Sequence, residues 1–65
     1  MKKWIELTNE YLENLKDKAR RKIRFSDGQE LFAYWDKSEQ CFWWDAGESA
    51  IYKDDPDMPT HILVG

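Results

Sequence analysis

The chain carries one histidine, His61, and one cysteine, Cys41, against thirteen carboxylates, so acids are the plentiful groups for chemistry. Asp54-Asp55, and Asp45 with Glu48, are paired carboxylates, the raw material of general acid–base catalysis. Such a pair shifts its pKa values only in a shaped, water-poor pocket, and a chain of 65 residues rarely encloses one. There is no Gly-x-Ser-x-Gly, no His-Glu-x-x-His, and the three glycines are scattered rather than gathered into a phosphate-cradling loop. Asp54-Asp55-Pro56-Asp57 has the acids of a calcium loop but lacks its central glycine and closing glutamate. Cys41 and His61 fall short of the four ligands of a structural zinc site. Gln40 and Phe42 offer Cys41 no cation to hold a thiolate, so it reads as a small buried hydrophobe. These residues predict a protein that is not an enzyme and takes no cofactor or metal.

What the composition offers instead is a surface. From Met1 to Arg24 there are 8 Lys/Arg against 4 Asp/Glu, a balance of +4. From Phe25 to Gly65 only Lys37 and Lys53 stand against Asp27, Glu30, Asp36, Glu39, Asp45, Glu48, Asp54, Asp55 and Asp57, a balance of −7. The acidic part also holds Phe25, Phe32, Tyr34, Trp35, Phe42, Trp43, Trp44 and Tyr52. Acids beside large flat side chains suit a basic partner surface. The basic run Lys18, Arg20, Arg21, Lys22, Arg24 has no aromatic interleaved along the sequence, and the downstream acids repel phosphate, so direct nucleic-acid binding is not expected. No stretch approaches the ~20 apolar residues of a membrane helix and Trp4-Ile5-Glu6-Leu7-Thr8 breaks any signal pattern with charge. A cytoplasmic protein with no membrane partner is the expectation.

One domain has to position these residues. Thr8 reads as a helix N-cap, and Leu12, Leu15 and Ala19 follow at helical spacing with Tyr11 beside them, predicting an amphipathic helix over about 9–20. Basic residues toward its end complement the dipole. The period then changes to two, and Asp27-Gly28 marks a hairpin. Strands are predicted over about 22–26, 29–36, 40–45 and 60–64, with 50–52 a weak segment and 53–59 a proline-punctuated loop. The fold class is α+β: one N-terminal helix packed on a three- to four-stranded antiparallel sheet.

A two-residue Asp27-Gly28 turn would set Phe25 opposite Glu30 and Ile23 opposite Phe32. One face would then carry Ile23, Phe25, Phe32, Tyr34 and Trp43. The other would carry Trp35, Phe42 and Trp44 beside Lys22 and Arg24. One short helix covers one face. The cations mark the second face as the wet one, so either its aromatics are covered by the chain's own loops or they meet a partner.

Trp4-Ile5, Asp27-Gly28, Tyr34-Trp35, Phe42-Trp43-Trp44 and Pro59-Thr60-His61 together resemble a family of small phage and prophage proteins of unknown function. Those chains open on Trp-Ile and close on Thr-His-Trp. Here Ile62 replaces that last tryptophan, and a helical segment stands where they often have a loop. As a class, the small acidic chain is also similar to anti-CRISPR inhibitors, several of which mimic nucleic acid. The resemblance implies a phage-type inhibitor that occludes a basic, nucleic-acid-handling surface of a host protein such as a CRISPR effector. Asp36, Asp45, Glu48, Asp54, Asp55 and Asp57 would engage its Lys and Arg, and Trp35 and Trp44 would anchor, in a monomer or weak homodimer. The alternatives are an aromatic module for carbohydrate or peptide on Trp35, Phe42 and Trp44, or an assembly subunit that dimerises through its sheet.

Overall fold

The computed structural model describes residues 1–45 and 47–65. It corrects the expected fold. The elements run β1 (Lys3–Glu6), α1 (Asn9–Asn14), β2 (Arg20–Arg24), β3 (Glu30–Asp36), β4 (Cys41–Trp44), β5 (Ser49–Tyr52) and β6 (His61–Val64). All six strands form one antiparallel sheet in the order β1-β6-β2-β3-β4-β5. The apolar entry Trp4-Ile5 and the weak segment at 50–52 are both strands, each of 4 residues.

The helix is one and a half turns, not three. Thr8 caps it as expected, its Oγ1 accepting from the Tyr11 N–H at 3.1 Å. At Leu15 the chain leaves helical geometry (φ −75, ψ 133), and Lys18 reverses direction at φ 65. A helix this short is marginal alone, and a β ladder competes for its C-terminal half: Lys18 N–H donates to Trp35 O at 2.7 Å and Trp35 N–H to Ala19 O at 3.0 Å. The Asp17 carboxylate further ties the segment to the next turn by accepting from Lys37 N–H at 3.0 Å. Leu12 is buried within the helix and Leu15 at its C-cap; the last turn holds no basic residue, Lys16 and Lys18 fall in the connection that follows, and Arg20 and Arg21 open β2.

The second correction is register. The loop between β2 and β3 has three residues, Ser26-Asp27-Gly28, not two. Phe25 pairs with Gln29 through a 2.8 Å bond from its N–H, and Gly28 N–H donates to Phe25 O at 2.9 Å. Neither Ser26 nor Asp27 has positive φ, whereas Gly28 sits at φ 91. This is a type I turn followed by a left-handed bulge glycine, the other hairpin that Asp-Gly serves. One extra loop residue slips the pairing by one, and every side chain of β2 changes face relative to β3. Ile23 therefore opposes Leu31, and Lys22 opposes Phe32. The β3–β4 pairing, with Asp36 opposite Cys41 and Trp35 opposite Phe42, is the one its sequence indicates.

The core lies on the face of Ile23. Ile23, Ala33, Trp35, Phe42 and Ile62 are fully buried, and Ile51, Leu12 and Leu15 join them. Trp35 and Phe42 pack at 4.9 Å between ring centroids. The helix and its cap cover this inner face.

Candidate functional site

The outer face is built by strict alternation along β2. Arg20, Lys22 and Arg24 project from one side of the strand while Ile23 projects from the other, and directly opposed residues share a face. Three rows result: His61–Arg24–Glu30, Lys22–Phe32, and Arg20–Tyr34–Trp43–Ala50. The aromatics missing from the basic run in sequence thus stand beside it in space.

Contacts make this explicit. The Arg20 guanidinium lies 4.2 Å above the Phe32 ring, with Lys22 Nζ at 5.7 Å. The Arg24 guanidinium lies 4.1 Å above Trp4. Phe32 and Tyr34 are 47% and 48% exposed, so each ring offers area to a ligand even with its cation in place. Glu30 offsets part of the charge, holding Arg24 at 3.0 Å and Lys22 at 3.6 Å. Arg20 enters no ion pair among the described residues. A further cleft on the same face is lined by Tyr34, Trp43, Lys18 and Asp36 together with Gly47 of the turn after β4.

The residues expected to bind a partner fare differently. Trp35 is fully buried in the core, so no partner surface reaches it and its role as an anchor is corrected. Trp44 is half-buried on the inner face, edge-on to Phe25 at 6.1 Å. Phe42 is buried, which also removes the expected carbohydrate or peptide platform.

Asp36 is a structural hub rather than a contact residue. Its Oδ1 accepts from Ser38 Oγ at 2.8 Å and from the Ser38 and Glu39 N–H groups at 3.1 Å each. Its Oδ2 accepts from Trp43 Nε1 at 3.2 Å and faces Lys18 Nζ at 3.6 Å. The Ser38 hydroxyl, the Glu39 amide, the Lys18 charge and the Trp43 N–H hold this carboxyl below the ordinary carboxylate range, against the opposing pull of desolvation.

Asp45, Glu48, Asp54, Asp55 and Asp57 are exposed and form no ion pair among the described residues. They do not make one row. Asp45 and Glu48 sit in the turn before β5, and Asp54 and Asp55 follow its other end, separated by the 4 residues of the strand, a span of about 13 Å. Asp55 Oδ1 is used within its own loop, accepting from Asp57 N–H at 2.8 Å.

Cys41 is buried, as its neighbours indicate, and burial, with the Asp36 and Glu39 charges, raises its thiol pKa. The raised pKa leaves less thiolate at neutral pH than an ordinary cysteine has. Among the described residues, no group of His, Cys, Asp and Glu converges as a metal site, and no helix is long and apolar enough to cross a membrane.

The outer face escaped the sequence reading because the reading took the two-residue form of the Asp-Gly turn. A signal for the right register is present. Under the wrong one, Lys22 and Arg24 share a face with Leu31, Ala33 and Trp35, leaving the more apolar set on the wet side. Comparison with protein-family models, with curated proteins and with solved structures gives no significant match, so the reading of this surface rests on its own geometry.

Proposed function

We propose that this protein is a binding module that takes single-stranded nucleic acid across its outer sheet face. One observation carries the reading: Phe32 and Tyr34, each about half exposed, lie side by side on β3 against Arg20 and Lys22 of β2. Sheet faces with this composition bind single strands because any base has a π-face to stack and every linkage has a phosphate to pair. Stacking contributes about 1–3 kcal/mol per base, so two rings and a few phosphate contacts give micromolar binding in low salt. The negative net charge does not forbid this. Charges separated by more than about 8 Å are largely screened at physiological salt, and the turn bearing Asp45 and Glu48 follows β4, which β3 separates from β2 and its cations by two strand spacings, about 10 Å.

The test is fluorescence anisotropy of a labelled octathymidylate at low salt, with the Phe32→Ala/Tyr34→Ala double variant as comparison. Both rings are exposed, so the variant keeps the fold, which circular dichroism checks. Loss of affinity by about tenfold or more is expected from removing even one stacked base. Equal binding by the double variant, or no binding by the native chain, refutes the reading.

A second reading keeps the phage-type inhibitor, with acids occluding a basic surface of a nucleic-acid-handling protein such as a CRISPR effector. It is favoured by the exposure of Asp45, Glu48, Asp54 and Asp57 and their lack of ion pairs among the described residues. It proceeds without Trp35 and Asp36. Reversing Asp54, Asp55 and Asp57 to Lys should abolish capture of such an effector while sparing the fold; retained capture by the folded variant would sink it.

A further inference from the structure

Strands β2 and β6 pair at only two positions, Ile23↔Ile62 and Arg24↔His61. Beyond them β6 continues on β1, through Leu63↔Trp4 and Val64↔Lys3, while β2 continues on β3, through Lys22↔Phe32, Arg21↔Ala33 and Arg20↔Tyr34. The two strands part company, and a cleft of about 360 Å³ occupies the fork. Lys2, Arg20, Arg21 and Lys22 line it together with Tyr11 and Phe32, and residues 63–65 close the remaining side.

Among the described residues, the charged side chains lining this fork are all cations, beside the C-terminal Gly65. Lys22 shares Glu30 at 3.6 Å, whereas Lys2, Arg20 and Arg21 have no ion pair among the described residues. Arg21 reaches the fork from the inner side of β2, because it alternates with Arg20 and Lys22. Cations thus come from both sides of the strand and from the segment ahead of β1. An internal phosphodiester brings a single negative charge and is matched by one or two such groups. A phosphate monoester carries about −1.5 to −2 at neutral pH and offers three acceptor oxygens. Two guanidinium forks suit that geometry, and the Tyr11 hydroxyl is a further donor. Phe32 belongs both to the fork and to the aromatic row.

We infer that the β2–β6 fork is a subsite for a terminal phosphate of a bound single strand, with the adjoining base on Phe32 and the strand leading toward Tyr34 and Trp43. This rests on the outer-face reading above, and it adds an end preference and a direction to it.

The experiment is a competition series by anisotropy with octathymidylate bearing a 5′-phosphate, a 3′-phosphate or hydroxyls at both ends. One phosphorylated end should bind roughly tenfold tighter than the hydroxyl form, the scale of one or two added charge-assisted hydrogen bonds, and which end does so sets the strand direction. Arg21→Gln should remove that preference while hydroxyl-ended binding stays within about twofold, since Arg21 lies off the Phe32–Tyr34 face. Lys2→Gln, ahead of the sheet, should reduce the preference without touching a strand. Equal affinity for all three oligonucleotides overturns the subsite and leaves the outer-face reading standing. A preference that survives both variants also overturns it. Failure of every oligonucleotide to bind overturns both.

Discussion

Replacing Ser26 by proline separates the two registers by the sign of its effect. In the observed hairpin Ser26 is the second residue of a type I turn, the position where proline's fixed φ is favoured. Its N–H makes no backbone hydrogen bond among the described residues, so nothing is lost with the donor. Phe25 before it directly follows β2 and continues the ladder by its bond to Gln29, and an extended residue suits the pre-proline position. The variant should therefore gain about 0.4–1 kcal/mol from the reduced freedom of the unfolded chain. A domain this small is stable by about 3–5 kcal/mol, so the gain is readable. With m near ~1 kcal/mol/M for a small domain, the urea midpoint followed by tryptophan fluorescence should rise by roughly 0.4–1 M at unchanged m. In a two-residue turn Ser26 would be a ladder residue opposite Gln29, and proline would remove a ladder hydrogen bond. A lowered midpoint would refute the three-residue loop and, with it, the assignment of Phe32 and Tyr34 to the face of Arg20. Gly28→Ala serves as companion. No atom lies within 4 Å of the added Cβ, so its cost is the left-handed backbone alone, about 1–2 kcal/mol.

Trp35→Ala should leave the chain unfolded at room temperature by circular dichroism, since deleting a buried Trp costs about 3–5 kcal/mol, whereas Tyr34→Ala, its neighbour in sequence, should fold. The Asp36 carboxyl has a folded pKa below its ordinary value, so its stabilisation is complete above the unfolded pKa of about 3.9 and is lost as pH falls through the lower folded value. Asp36→Asn should accordingly flatten the dependence of the urea midpoint on pH below about 4. Octathymidylate affinity should fall with salt at a logarithmic slope of about −2 if Arg20, Lys22 and Arg24 each meet a phosphate, and Arg20→Gln should reduce the slope by about 0.7. Phe32→Ala should weaken binding with the slope unchanged.

How much of this was legible is best judged residue by residue. Thr8 announces its cap because a hydroxyl before an apolar-periodic segment has one obvious use. The β3–β4 register follows from Asp36-Lys37-Ser38-Glu39-Gln40, a polar break between two apolar strands, and the pairs Tyr34↔Trp43 and Trp35↔Phe42 stand as the break implies. Strands β1 and β5 were harder. A strand of 4 residues shows each face only two side chains, too few for a period to emerge. The helix was overread because Ala19 lies at helical spacing from Leu15, while the bonds that claim its backbone come from Trp35, distant in sequence. The outer face was hidden by one turn residue: Asp27-Gly28 is compatible with two loop lengths, and only the amphipathic consistency of the paired strands decides between them. Asp36 looked like a surface acid because its partners Ser38 and Trp43 assemble only once the turn and β4 are in place.

The central claim is that the outer sheet face is where this protein meets its ligand. An amide NMR titration of the isotope-labelled protein with octathymidylate tests it most directly. Shifts should concentrate on Arg20, Lys22, Phe32, Tyr34 and Trp43, with residues 53–57 unmoved. Shifts confined to the acidic loop 53–57, or none at millimolar oligonucleotide, would contradict it.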